Sequence, residues 1–150
     1  MRNSCALIFM FFVTILSGYS QDCGCDYLIS SVTTIFDGSD VLPGEIICLE
    51  SGERNELLLK NISGSIANPV QIQNCEGDVL INSLSATYAI GVENCDYIHI
   101  TGTGDGSEYG IRIEEAASIG VFFMELSNHF ELDHVQIQNT GGAAIMVRDA

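Results

Sequence analysis

Short stretches in which apolar and polar residues alternate recur along most of the chain beyond residue 45. A period of two places successive side chains on opposite faces of a β-strand. Glycine, asparagine, aspartate and serine separate these stretches, as is usual between strands. No helical pattern of similar strength follows the first 20 residues, so the sequence predicts an all-β fold. The predicted strands span residues 46–49, 57–59, 70–73, 79–81, 89–92, 97–100, 110–113, 121–126, 132–138 and 144–147.

Internal similarity favours a solenoid among the all-β folds. The segments 70–75 and 90–95 both leave a strand through an Asn-Cys pair, and their cysteines are 20 residues apart. The segments 96–104 and 133–141 also match, which would make residues 118–127 an inserted extra strand. A step of roughly 20 to 21 residues that holds several short strands is typical of one turn of a right-handed parallel β-helix. A jelly roll or sandwich also has many short strands but does not account for this step.

Stacked turns place equivalent residues ~4.8 Å apart, with apolar side chains inside and polar side chains outside. The predicted inward residues are Ile72, Val92, Ile98, Ile100, Ile111, Ile113, Val135, Ile137 and Ile145. The predicted outward residues are Gln71, Gln73, His99, Arg112 and Gln136. Asn74, Asn94 and Asn139 follow strands, where stacked amides would hydrogen-bond to one another and to the backbone of the bend.

The first 20 residues differ from the rest of the chain. Arg2 precedes an apolar run at residues 6–16, and Gly18 and Ser20 provide the small residues of a cleavage site. This order is typical of a secretory signal peptide, and the apolar run is too short to span a bilayer. We therefore expect a secreted, extracellular or cell-surface protein whose β-helix begins after Ser20, with no membrane span in the mature chain.

The chain is strongly acidic, with 20 Asp and Glu residues against five Lys and Arg residues and a net charge of −15. All of the acidic residues follow residue 21, whereas Arg2 lies in the predicted signal. Such a surface repels nucleic acid, whose binding proteins need basic side chains to displace counterions. It also disfavours an anionic polysaccharide unless divalent cations intervene. The sequence requires no cofactor, and Ca²⁺ is a candidate ion.

Five cysteines follow the predicted signal, namely Cys23, Cys25, Cys48, Cys75 and Cys95. An exported protein permits disulfides, but an odd number leaves at least one cysteine without a partner in the same chain. The predicted step would stack Cys75 on Cys95 with Cα atoms about 5 Å apart, within the range of a disulfide. Because in-register side chains point the same way, we expect two buried thiols, with a 75–95 disulfide as the alternative.

Few residues carry recognisable chemistry. His99 and His134 are predicted to point outward, and they occupy non-equivalent positions of the two matching segments. Arg112 is predicted on an outer face beside Glu114 and near Glu93, an arrangement that suits a cation, a sugar or a simple surface ion pair. The candidate substrate-binding residues are therefore His99, Arg112, Glu114 and His134, with no catalytic or metal-ligating set apparent.

Several segments resemble exported right-handed parallel β-helix proteins of Bacteroidetes type. They are residues 41–52, 59–64, 68–75 and 130–141, the last followed by the strand at 144–147. The resemblance covers roughly residues 23–150 and implies the pectate-lyase-like superfold, with a cap region and the first turns at 21–150 of a longer, truncated solenoid. Such proteins are similar in outline to polysaccharide-active enzymes, but the matching segments specify a fold rather than a reaction.

Two functions of different class remain open. The first is a non-catalytic secreted or cell-surface module that binds carbohydrate or cell wall, or serves as a scaffold, along its outer face. The second is the N-terminal part of a polysaccharide-active enzyme, a lyase or glycoside hydrolase, whose active site lies in later turns. The lack of a paired acid and base in the sequence favours the first function.

Overall fold

The computed structural model describes residues 23–148, and these form twelve β-strands. The strands are β1 (Tyr27–Ile29), β2 (Ile35–Asp37), β3 (Ile46–Arg54), β4 (Leu57–Lys60), β5 (Val70–Ser83), β6 (Tyr88–Glu93), β7 (Asp96–Thr101), β8 (Ile111–Ala116), β9 (Ile119–Met124), β10 (Asn128–Asp133), β11 (Val135–Ile137) and β12 (Ile145–Arg148). The predicted signal peptide lies outside the described residues. Within them, no helix is long and apolar enough to cross a membrane.

Three faces, called A, B and C, surround the core. Face A contains β1, the first parts of β3 and β5, then β7 and β10. Face B contains the second parts of β3 and β5, then β8 and β11. Face C contains β2, β4, β6, β9 and β12. Every strand pair is parallel, so the predicted all-β parallel solenoid is confirmed, with about four turns.

Apolar side chains stack in rows inside the solenoid. On face C, Leu59, Val92 and Phe123 are in register and at most 1% exposed. Face A contributes a similar row through Ile72 and Ile100, which are both fully buried. Burial of a large apolar side chain contributes roughly 1.5–3 kcal/mol, so these rows are the main source of stability.

The predicted division into inward and outward residues is largely correct. Ile145 is half-exposed, because β12 is the last described strand of face C. Gln73 was predicted to point into solvent but is only 6% exposed, since the N-terminal segment covers it. Its Nε2 donates to the carbonyl oxygen of Cys23 at 3.1 Å. The predicted inward residues that are buried are Ile72, Val92, Ile98, Ile100, Ile111 and Ile113, and those that pack partly buried against the core are Val135 and Ile137.

The predicted step of 20 to 21 residues applies to β1 and β3, where Tyr27 pairs with Ile47, but it is wrong for the later turns. Ile72 pairs with Ile47 on one side and with Ile100 on the other, so the two steps are 25 and 28 residues. The two Asn-Cys pairs lie at different corners, at 74–75 inside β5 and at 94–95 between β6 and β7. Similar local sequences therefore mark different parts of a turn and do not repeat the same part.

The extra strand predicted at 118–127 is not an insertion. That part of the chain forms β9, an ordinary member of face C that lies between β6 and β12. The two matching segments, which start at Asp96 and Asp133, do not stack as equivalents. Asp133 pairs with Thr101, at the far end of β7.

Two disulfides fasten residues 23–25, the N-terminal clamp, to the first turns. Cys23 is bonded to Cys75 and Cys25 to Cys48, with Cα–Cα distances of 5.9 and 5.7 Å. Cys95 is the free cysteine of residues 23–148, and burial raises the pKa of its thiol to about 11. The prediction that Cys75 and Cys95 stack, as thiols or as a disulfide, is wrong because they lie at different corners.

Arg54 closes the interior near the start of the solenoid. It takes an inward position of face B in register with Ile81, at a level where β1 and β2 supply no strand to that face. The residue is 4% exposed, and Nη2 donates to the carbonyl oxygens of Ile29 at 3.3 Å and Ser30 at 3.1 Å. Burial lowers the pKa of Arg54, and the guanidinium still remains charged because its pKa starts far above neutrality.

A ladder of amides follows the corner between faces C and A. Asn94 Nδ2 donates to Asn61 Oδ1 at 2.9 Å, and Asn61 Nδ2 donates to Asp37 Oδ2 at 3.1 Å. Asn61 and Asn94 have φ values of 58° and 51°, in the left-handed region that asparagine tolerates. Stacked amides were predicted for Asn74, Asn94 and Asn139, but the partner of Asn94 is Asn61. Asn74 is buried in β5, and Asn139 donates to a backbone carbonyl of β8.

Candidate functional site

Polar side chains meet on the outer surface of face A, where β7 and β10 lie side by side. His99 and Thr101 point away from the core because they alternate with buried isoleucines. Glu131 and Asp133 alternate with apolar residues of β10 in the same way, and the register pairs Glu131 with His99 and Asp133 with Thr101. Together with His134, these residues form what we call the histidine–carboxylate cluster.

Asp133 is the centre of the histidine–carboxylate cluster. Its Oδ2 lies 3.0 Å from His99 Nε2, and its Oδ1 lies 3.0 Å from His134 Nδ1. The ligand atoms of His99, Glu131 and Asp133 all lie within 4.8 Å of one another. The side chains of His99 and Asp133 are 24% and 34% exposed, so the cluster is shielded by the sheet and open to solvent on its outer side.

The backbone at the end of β10 brings His134 to Asp133. His134 has a φ of 49°, which turns the chain from face A toward face B. Its carbonyl oxygen packs against Gly102, where any Cβ would overlap that oxygen. A glycine is needed at this corner because a side chain would force the two turns apart.

The surroundings of Asp133 favour its ionised form. Burial alone would raise the pKa of this carboxyl group, but the neighbouring side chains of Thr101, His134 and His99 outweigh burial and lower the pKa to about 2. Asp133 is therefore negatively charged near neutral pH. A carboxylate that is charged near neutral pH and lies between two imidazole rings is suited to binding a metal cation.

Arg112 and Glu114 form a separate charged group on face B. Arg112 Nη2 lies 2.6 Å from Glu114 Oε1, and Nη1 lies 3.4 Å from Asp78 Oδ2. The prediction that Glu93 lies near Arg112 is wrong, because Glu93 is on face C and pairs with Lys60 at 3.1 Å. Two carboxylates thus engage the Arg112 guanidinium in surface ion pairs, which typically contribute about 0–1 kcal/mol each.

The structure brings the four predicted site residues together in two separate pairs. His99 and His134 meet through Asp133, although they are not equivalent positions of a repeat. Arg112 and Glu114 contact each other as expected, but on the neighbouring face.

Sequence reasoning missed Glu131 and Asp133. Alternation within β10 marks both as outward residues, but it does not show which strand lies beside them. That information depends on the 32-residue step from His99 to Glu131, which the internal similarities did not reveal.

A surface of different character follows the outside of face C. The ring of Tyr88 lies over Gly91, in the row that continues through Leu58 and Phe122 on the neighbouring strands. The missing side chain of Gly91 leaves room for this ring. A recess of about 230 Å³ adjoins Tyr88 and Leu58. Its other lining residues are Thr34, Ile35, Glu56, Ala86 and Thr87.

No known protein family matches this chain, and neither does any curated protein or solved structure. The parallel β-solenoid is therefore shown by the pairing of its strands.

Proposed function

We propose that this protein is a secreted or cell-surface β-solenoid that binds carbohydrate, such as a cell-wall polymer, along its outer surface. The observation that carries the proposal is the outer surface of face C, where Tyr88 lies over Gly91 beside a recess lined by both polar and apolar residues. An aromatic ring offers a large apolar contact at low entropic cost. Thr34, Glu56 and Thr87 supply polar groups that would orient a sugar next to that ring.

The regular architecture also supports a polymeric ligand. Parallel strands repeat outer positions every ~4.8 Å along the solenoid. An extended chain of sugar residues can therefore meet similar side chains on several successive turns. A small ligand would contact only one or two turns, so the repeat would add nothing to its affinity.

Export is part of the proposal. Two disulfides suit an oxidising compartment outside the cytoplasm. The predicted signal peptide at residues 1–20 points to the same compartment. We include in the proposal a relation to exported β-helix proteins of Bacteroidetes type with the pectate-lyase-like superfold, since a parallel solenoid is the architecture that this resemblance implies.

The charge of the chain narrows the class of carbohydrate. A net charge of −15 repels polyuronates and sulfated glycans, just as it repels nucleic acid. We therefore propose a neutral polysaccharide as the ligand. Acidic polymers would bind only in the presence of divalent cations.

Affinity electrophoresis through gels that contain single neutral or acidic polysaccharides tests this proposal. We expect retardation by at least one neutral polymer, and Tyr88→Ala should weaken this binding about tenfold, equivalent to about 1.4 kcal/mol. Tyr109→Ala is the matched control, because Tyr109 is a 47% exposed tyrosine on the loop between β7 and β8. Circular dichroism shows whether each variant is folded. Migration unaffected by every polymer, or equal weakening in both variants, contradicts the proposal.

A polysaccharide lyase or glycoside hydrolase is the second candidate, and one observation favours it. Asp133 holds His99 in the way that a carboxylate orients a general base. Unsaturated products released from a polyuronate, detected by ultraviolet absorbance and lost in His99→Ala, would establish this activity. Polymers that stay intact across the same panel would eliminate catalysis by this chain.

A further inference from the structure

We propose that His99, Glu131 and Asp133 bind a divalent first-row transition-metal ion such as Zn²⁺. The proposed site lies on the outer surface of face A, away from the Tyr88 surface of face C. It is therefore independent of whether the protein binds carbohydrate. His134 lies beside the second oxygen of Asp133, with Nδ1 3.0 Å from Oδ1, and limits the movement of that carboxylate without itself contacting the ion.

The distances within the cluster suit a small cation. Ligand atoms around a tetrahedral Zn²⁺ ion with bonds of about 2.0–2.1 Å lie roughly 3.3 Å apart. His99 Nε2 and Asp133 Oδ2 are already 3.0 Å apart, and the ligand atom of Glu131 is within 4.8 Å of both. A rotation of the exposed Glu131 side chain would complete a three-residue site, since all three ligands lie on the paired strands β7 and β10.

The hydrogen bonding of Asp133 is incomplete, which is the second observation in favour of a cation. Oδ1 is closed to solvent and has no partner with hydrogen-bond geometry among the described residues, although His134 Nδ1 lies 3.0 Å away. A buried carboxylate oxygen without a donor is costly. A dication bound to the same carboxylate would compensate for the missing donor.

The donor set selects the type of metal. An imidazole nitrogen with two carboxylates suits Zn²⁺, Mn²⁺, Co²⁺ or Ni²⁺, whereas Ca²⁺ takes six to eight oxygen ligands. Ca²⁺ was a candidate ion from the sequence, and the imidazole nitrogen of His99 argues against it at this site. Ligating carboxylates in such sites commonly contact further polar groups that orient them, and His134 is such a neighbour of Asp133.

Two other groups of potential ligands serve as comparisons. His129 Nδ1 lies 2.8 Å from Asp96 Oδ1, but no third ligand from residues 23–148 joins this pair, and the His129 ring stacks on Tyr97. Three sulfur atoms of the N-terminal clamp region also lie close together, but they belong to disulfides and cannot bind a metal while the disulfides are closed. The exposed His129–Asp96 pair is therefore a matched negative control.

Calorimetric titration of untagged, disulfide-intact protein with Zn²⁺ in excess Ca²⁺ tests the proposal. We expect one Zn²⁺ per chain. His99→Ala and Asp133→Asn should each weaken binding about 100-fold or more, and His134→Ala about tenfold, as for outer partners of a metal ligand. The control His129→Ala should bind as the wild type does. Co²⁺ should give a visible spectrum that disappears when Zn²⁺ is added.

Several outcomes would overturn the proposal. They are the absence of saturable Zn²⁺ binding, equal affinity in the wild type and His99→Ala, or a loss of affinity in His129→Ala. Glu131→Gln keeps the test decisive if the Asp133 variant does not fold, because Glu131 is exposed and contributes little to the core. Zn²⁺ binding unchanged in Glu131→Gln and His99→Ala would place the metal elsewhere.

Discussion

Asp133 shows how much of a residue's chemistry depends on its neighbours. The side chain is a third exposed, yet its oxygens face two different histidines. Its pKa of about 2 follows from those neighbours, since burial acts in the opposite direction. The same residue type on an open strand would titrate near its ordinary value and hold neither imidazole in place.

The lowered pKa of Asp133 predicts a pH-dependent contribution to stability. A carboxyl group whose pKa falls on folding stabilises the protein above its unfolded pKa, near 4, and loses that contribution as the pH falls toward the folded value. We expect Asp133→Asn to lower the free energy of unfolding at about pH 6 by at most about 1 kcal/mol, given the exposure of the side chain. Urea titrations of both proteins between about pH 6 and 2 should show this difference shrinking with acidity. A difference independent of pH contradicts the prediction.

The corner between faces C and A is a structural element with its own ladder of side-chain hydrogen bonds. Asn61 and Asn94 both adopt the left-handed conformation there, and each also places its amide in the hydrogen-bond ladder. Asn61 occupies the middle of the ladder, between Asp37 and Asn94. Its two roles, conformation and hydrogen bonding, can be separated by substitution.

We predict that Asn61→Ala costs about 2 kcal/mol of unfolding free energy. About half comes from the left-handed φ, which disfavours alanine, and half from the lost amide hydrogen bonds. Asn61→Gly keeps the conformation accessible in the folded chain and should cost only about 1 kcal/mol. Chemical denaturation measures both values. Equal losses in the two variants would show that the φ angle contributes nothing.

The strands were easier to predict than their arrangement. Alternation is a local signal, so segments such as 70–73 and 97–100 were found directly, and both lie in strands. The three-residue strands β1 and β2 were missed because they are too short to show a period. Register was not predictable because loops of unequal length, including the one between β7 and β8, change the step from turn to turn. The candidate site was only partly predictable for the same reason. His99 could be recognised from the sequence, but the β7–β10 register that brings Asp133 beside it could not.

At the scale of the whole molecule, the N-terminal clamp joins three parts of the chain that are distant in sequence. The Cys23–Cys75 disulfide spans 52 residues and the Cys25–Cys48 disulfide spans 23. Cross-links of this kind restrict the unfolded chain, more strongly for longer loops. The clamp therefore stabilises the first turns together, and each of those turns supports the next.

We predict that replacing both Cys23 and Cys75 with serine lowers the free energy of unfolding by about 4 kcal/mol, and that replacing Cys25 and Cys48 lowers it by about 3 kcal/mol. Paired replacement avoids leaving a reactive thiol. Urea denaturation under non-reducing conditions measures both losses, with Cys95→Ala as a control that leaves the disulfides intact. If the wild type with dithiothreitol is as stable as without it, the disulfides make no such contribution.

Arg54 makes the two outermost described levels of the solenoid unlike each other. One end has a buried guanidinium and two edge strands of only three residues, both of which discourage the addition of a further strand. At the other described end, β12 exposes Ile145 and Val147. Growth of a filament by parallel stacking is head-to-tail and needs both ends of every subunit to be adhesive. The inward arginine and the short strands β1 and β2 therefore make this edge a poor partner for head-to-tail stacking of another copy.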